Sequence, residues 1–202
     1  EILKGPQGTL YGKNTTAGAI NITTSPPSFD FQGKAEVSIG NLNFKQSKVS
    51  VSGPLSETVA ARISLSSTSR RGTLFDTFSN TWIQSQDNIG VRGSVLWKAT
   101  PDLNITVSGD WNLQDPICCA FAYGSYGPTQ RAANRQYPAL ISYFPGYKVP
   151  STNPYDRLTD ADAALSARNE IGGAAIRAVW DVDDSSTLTS ITAWRFWNWA
   201  PA

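Results

Sequence analysis

Along residues 33–199, apolar side chains return at every second position, in short runs separated by Gly, Pro, Asp and Asn. Successive side chains of a strand point to opposite faces, so this period describes a strand with one apolar and one polar face. Ala35, Val37 and Ile39 alternate with Lys34, Glu36 and Ser38. Val49 and Val51 alternate with Lys48 and Ser50. A third run sets Val59, Ala61, Ile63 and Leu65 against Ala60, Arg62, Ser64 and Ser66. The fourth puts Ile89, Val91, Val95 and Trp97 on one face, with Arg92, Ser94 and Lys98 on the other. The fifth does the same with Leu103, Ile105, Val107 and Trp111 against Asn104, Thr106, Ser108 and Asp110. A sixth run spans about 168–181 and a seventh about 187–199. In the seventh the faces stay open, because Leu188 and Ile191 differ in parity.

The connections between runs alternate in length. At one end they are the short turns 53–57, 99–102 and 182–186. At the other they are 40–43, 69–86 and 114–167, of which the last two are long outer loops. Short turns on one side and long loops on the other are the pattern of an outer-membrane barrel. A soluble β-sandwich has no reason to keep this parity. Trp97 and Trp180 adjoin short turns, whereas Trp111, Trp194, Phe196, Trp197 and Trp199 lie toward the long-loop end. Aromatics at both rims suit a membrane girdle; the alternative is tryptophan covering a sandwich core. Small residues on the apolar faces, Ala61, Gly93 and Gly109, suit a wall against lipid better than a core that must be filled.

Other classes are weakened by what is missing. The chain has 17 basic and 16 acidic side chains and no His. A net charge of +1 argues against nucleic acid as a partner. Without His, neither a Ser-His-Asp triad nor a His-based zinc site can be built. Asp181, Asp183 and Asp184 read as turn formers. Asp156, Asp160 and Asp162 lack the Gly and terminal Glu of a calcium loop. We therefore expect no catalytic residues, no metal site and no cofactor, and not an enzyme. No run of eighteen apolar residues is present, so no transmembrane helix is expected.

Residues 1–24 are the most distinctive in order: EILKGPQGTLYGKNTTAGAINITT. They read as a strand, a Gly-Pro turn, one helical turn over 7–11 stopped by Gly12, a polar loop, and an extended run over 17–24. The phosphate-loop pattern fails, since position 7 is Gln and position 14 is Asn. With Glu1, Leu3, Lys4, Gly5, Pro6, Leu10, Tyr11, Gly12, Gly18, Ala19, Ile20, Asn21 and Ile22, this stretch resembles the end of the plug domain of TonB-dependent outer-membrane receptors. Gly8 belongs to the same motif.

The resemblance implies an all-β fold: the C-terminal part of a plug (1–24), a linker (25–32) carrying Pro26 and Pro27, and about seven antiparallel strands of an incomplete barrel (33–202). With no Met and an opening inside a motif, the chain is expected to be a piece of a longer protein. The resemblance further implies import of a scarce nutrient, a ferric siderophore above all, across a Gram-negative outer membrane. Its partners would be TonB, whose box is not in this sequence, a small-molecule ligand and membrane lipid. The alternatives are a passive porin, which would lack the plug motif, and a soluble β-sandwich binding module, which would lack the loop parity. Lys4 and Lys13 could pair with a lumen carboxylate such as Glu36. In the long outer loop, Tyr123, Tyr126, Arg131 and Arg135 are candidate ligand contacts, since aromatics with arginines suit a flat or anionic ligand. Packing of this loop on itself is the other reading. Cys118 and Cys119 are adjacent there, and a disulfide is one of their states.

Overall fold

The computed structural model describes residues 1–201 of the 202. Seven strands form one antiparallel sheet: β3 (Gln32–Ile39), β4 (Lys45–Pro54), β5 (Val59–Arg70), β8 (Gln86–Thr100), β9 (Leu103–Gln114), β11 (Ala167–Asp183) and β12 (Ser186–Pro201). Their order across the sheet is their order in the chain, from β3 at one edge to β12 at the other, and the sheet does not close. Each period-two run of the sequence has become one strand. The short connections between β4 and β5, β8 and β9, and β11 and β12 share one end, and the long ones share the other.

Register fixes the two faces. Directly paired residues point the same way, so Val49, Leu65, Val91, Trp111, Gly172 and Phe196 form one row of the apolar face. One residue over, Lys34, Ser50, Ser64, Arg92, Asp110, Gly173 and Arg195 form a row of the polar face across all seven strands. Apolar-face side chains stay open to their surroundings: Val37 is 71% exposed, Ile63 51% and Trp194 64%. A face of this extent in water would drive association.

Register also settles the last strand. Leu188, Trp194 and Phe196 stand on the apolar face, opposite Trp180, Ala174 and Gly172. Ile191, Trp197 and Trp199 stand on the polar face, opposite Arg177, Ile171 and Asn169. Trp97, Trp111, Trp180, Trp194 and Phe196 therefore fit a girdle, but Trp197 and Trp199 do not. Their rings lie over each other on the polar face, 6.3 Å apart and 12° from parallel. Nε1 of Trp197 donates to Oδ1 of Asn169 at 2.6 Å.

The N-terminal segment folds as its sequence suggests, though with less strand. β1 (Ile2–Lys4) pairs antiparallel with β2 (Gly18–Ile20), around the single helical turn α1 (Gly8–Tyr11). The extended run expected over 17–24 is hydrogen-bonded as strand only at Gly18–Ile20. Gly18 cannot be replaced freely: its φ is +154°, and a Cβ there would lie 2.5 Å from the Leu3 carbonyl oxygen.

The long-loop end carries structure that periodicity did not announce. Within the first loop, β6 (Leu74–Asp76) and β7 (Thr81–Ile83) form a hairpin. The second loop contains the short helix α2 (Tyr137–Ile141) and the two-residue strand β10 (Leu158–Thr159). β10 pairs parallel with β6 and thereby ties the two loops together. Leu74, Ile83 and Ala120 are buried as a small core between them.

Candidate ligand-binding site

On the polar face, Asp110 on β9 is the centre of a charged group. It accepts Nη1 of Arg92 at 3.0 Å from the neighbouring β8. It also accepts Nη1 of Arg195 at 2.7 and 2.8 Å. Arg195 is on β12, two strands away, and the strand between contributes Gly173 to this row. A Cβ on Gly173 would lie 2.8 Å from Cδ of Arg195 and 2.2 Å from the Trp194 carbonyl oxygen. The missing side chain thus lets the arginine cross β11. Lys34, Lys48, Arg62 and Arg177 share this face with Glu36 and Asp181, so basic groups outnumber acidic ones on it.

The segment joining residues 1–24 to the sheet runs along the same face. Arg92 Nη2 donates to Thr24 Oγ1 at 3.4 Å, and Arg62 Nη1 to the Pro26 carbonyl at 3.4 Å. The Ser28 amide donates to Oγ of the buried Ser52 at 2.9 Å. The Lys98 ammonium lies 4.4 Å above the Phe29 ring. Glu36 pairs with Lys48 on the adjacent strand at 3.4 Å. The suggested pairing of Glu36 with Lys4 or Lys13 is therefore replaced by a cross-strand pair, which strand register offers without any docking.

In the motif of residues 1–24, Lys4 pairs across to Gly18, and Leu10 and Tyr11 end α1 with their side chains exposed. Gly5, Pro6 and Gly12 make the turns at either end of α1. The Asn21 amide donates to the Glu1 carbonyl at 2.9 Å and continues the β1–β2 ladder.

The long loop gathers four tyrosines around one carboxylate. Tyr123 donates to Oδ1 of Asp160 at 2.8 Å, and Tyr147 donates to Oδ2. The hydroxyls of Tyr137 and Tyr147 are 3.3 Å apart. Tyr126 stacks on Tyr137, with centroids 4.3 Å apart, and donates to the Pro150 carbonyl at 3.4 Å. The hydrogen bond to Asp160, helped by burial, pushes the Tyr123 phenol up to about 12. Burial, and then the hydrogen bond with Tyr126, raise Tyr137 as well. Two of the four candidate contacts, Tyr123 and Tyr126, are thus engaged within the loop. The other two, Arg131 and Arg135, stay exposed and flank an open cavity.

Cys118 and Cys119 are joined by a disulfide at the base of this loop. There Cys118 N donates to the Leu165 carbonyl at 2.7 Å. Gln84, at the end of the hairpin, donates to the Ala120 carbonyl at 2.6 Å. In the hairpin, the buried Asp76 caps the turn by accepting from the Ser79 hydroxyl and from the Ser79 and Phe78 amides. Burial acts to raise the Asp76 carboxyl. The hydrogen bonds from Ser79, Phe78 and Ala161 outweigh it and hold the group below the usual carboxylate range.

Comparison with known proteins puts these features in context. No family model matches the chain. It is 42% identical over 57 residues to the pesticin receptor of Yersinia pestis, covering 28% of this chain and 8% of that receptor. It is 38% identical over 66 residues to the ferrioxamine B receptor of Salmonella typhimurium, covering 32% of this chain and 9% of the receptor. With the ferripyoverdine receptor of Pseudomonas aeruginosa it shares 26% identity over 163 residues, which is 80% of this chain and 19% of that one. Among solved structures, the ferric yersiniabactin uptake receptor FyuA of Yersinia pestis superposes with a TM-score of 0.78 at 16% identity, covering 99% of this chain and 28% of FyuA. The ferric-catecholate import receptor Fiu of E. coli K12 gives 0.69 at 22% identity, covering 96% and 27%. The chain spans under a fifth of the length of these curated relatives and just over a quarter of these solved receptors. In sequence the chain is similar to parts of these siderophore receptors, and in fold it is similar to a segment of receptors of the TonB-dependent outer-membrane type.

Proposed function

We propose that the chain is the end of the plug (1–24), the linker (25–32) and the first barrel strands (33–202) of a receptor in a Gram-negative outer membrane. That receptor binds a ferric siderophore outside and imports it with energy delivered through TonB. The observation carrying this reading is the two-faced wall: one face apolar and bare, the other basic and holding the end of residues 1–24 through Arg92 and the linker through Arg62 and Ser52. A bilayer accounts for the first face and a plugged lumen for the second. The unpaired outer edges of β3 and β12 need neighbours in a membrane, which further barrel strands would supply. The relatives named for ferrioxamine B and ferripyoverdine support a ferric chelate as the ligand. Exposed Arg131 and Arg135, and the Trp197–Trp199 pair on the lumen side, suit an anionic or flat chelate.

The test is uptake of radiolabelled iron, presented as ferrioxamine, ferripyoverdine and ferric yersiniabactin, by cells that make this receptor as their only one. Uptake of at least one complex, lost when TonB is deleted while surface binding remains, is the expected result. Uptake indifferent to TonB would mean a passive pore, and no cell-bound iron with any ferric chelate would reject the ligand class.

A further inference from the structure

The tyrosine cluster of the long outer loop is more than a folded loop needs. Asp160 is half-buried and forms no ion pair among the described residues. Both of its oxygens instead face phenols, those of Tyr123 and Tyr147, and Tyr137 stands 3.3 Å from Tyr147. A carboxylate withdrawn from water is ordinarily neutralised by a cation. Here the place of that cation is taken by phenol O–H groups, which are themselves potential ligands once deprotonated.

We propose that Tyr123, Tyr137, Tyr147 and Asp160 form a binding site for a hard trivalent cation, ferric iron, on the outer loop. All the donors are oxygen, which selects hard metal ions; no imidazole or thiolate is present for zinc or copper. A phenolate is a stronger donor than a carbonyl or water, and it is matched by a highly charged ion rather than by calcium. On binding, each ligating phenol loses its O–H bond. The proton passes to water, the freed oxygen pair is donated to the metal, and iron keeps its oxidation state. Three phenolates and one carboxylate leave room for water or for oxygens of a chelator.

The donors come from four places in the loop, and two are held by structure outside the cluster. Asp160 follows Thr159, which is buried in β10, and the Thr159 carbonyl accepts from Thr77 N at 2.8 Å. The hairpin therefore positions the carboxylate. Tyr126, stacked on Tyr137 and anchored to Pro150, positions the second ring without donating to the site. This fixing of ligands by a supporting layer is what a metal site requires. A calcium-loop pattern does not detect such a site, because its ligands are spread from Tyr123 to Asp160 rather than set in one short loop.

The test uses the whole receptor in detergent, titrated with ferric nitrilotriacetate. Phenolate bound to iron gives a visible charge-transfer band, which iron hydroxide and carboxylate-bound iron do not. The band is expected in the native protein, unchanged by excess calcium. It should be lost in Asp160→Asn and strongly weakened in Tyr147→Phe, whose side chain is exposed enough for the variant to fold. Tyr126→Phe, which leaves every donor in place, should keep it. No band in the native protein, or one that survives both Asp160→Asn and Tyr147→Phe, would overturn the proposal. The outcome is independent of which siderophore the receptor imports.

Discussion

Val107 stands near the middle of β9 on the apolar face, between Val95 and Ile176, and is 47% exposed. If that exposure is to lipid, Val107→Arg places a charge close to the bilayer midplane. Such a substitution on the lipid face of a barrel costs about 2–4 kcal/mol. That is a loss of roughly 30- to 900-fold in the folded-to-unfolded ratio, at 1.36 kcal/mol per tenfold. The adjacent Ser108 faces the other way, between Ser94 and Ala175. Ser108→Arg adds the same charge to an already basic face and should cost about 0.5 kcal/mol, a surface-like change. The assay is urea unfolding of the whole receptor in lipid vesicles, followed by tryptophan fluorescence and by the gel shift between folded and unfolded barrel. Equal losses for the two variants, or a larger loss for Ser108→Arg, would refute the assignment of faces.

Further consequences follow from single contacts. Gly173→Val should break the Arg195–Asp110 contact and lower stability by about 1–3 kcal/mol, through an overpacked backbone approach and a charge-assisted bond lost. In that background Arg195→Gln should add little, since Asp110 keeps its pair with Arg92, and a double-mutant cycle measures whether it does. Gly18→Ala, at φ +154°, should cost about 1–3 kcal/mol locally and speed amide exchange at Leu3 and Ala19 more than in β8. Asp76 has its carboxyl lowered from 3.8, so its share of stability is present above that value and fades as pH falls through the lower folded value. Amide exchange over residues 73–85 should therefore rise below about pH 4, and this pH dependence should vanish in Asp76→Asn.

The wall was legible because each strand has two unlike surroundings, and alternation records that directly. Val59, Ala61, Ile63 and Leu65 could be read as one face before any partner was known, and register confirms it. The last strand resisted for a physical reason. Near the long-loop end the polar face also carries large aromatics, Trp197 and Trp199, so hydrophobicity no longer distinguishes inside from outside. β6, β7 and β10 were hidden because strands of two or three residues hold no period. The cysteines, tyrosines and arginines of the long loop were visible as types. That Asp160 gathers Tyr123 from 37 residues away was not, since the β10–β6 pairing and the Cys118–Leu165 hydrogen bond, both long-range contacts, bring that end of the loop back.

The directest measurement is the labelling of single cysteines in the receptor within intact outer membranes. Positions 37, 63, 107 and 176 stand on the apolar face; positions 50, 64, 94 and 108 stand on the polar one. A lipid-soluble photoreactive reagent should label the first set and spare the second. Labelling of both sets alike, or of the second set alone, would contradict a wall that faces lipid on one side and a plugged lumen on the other.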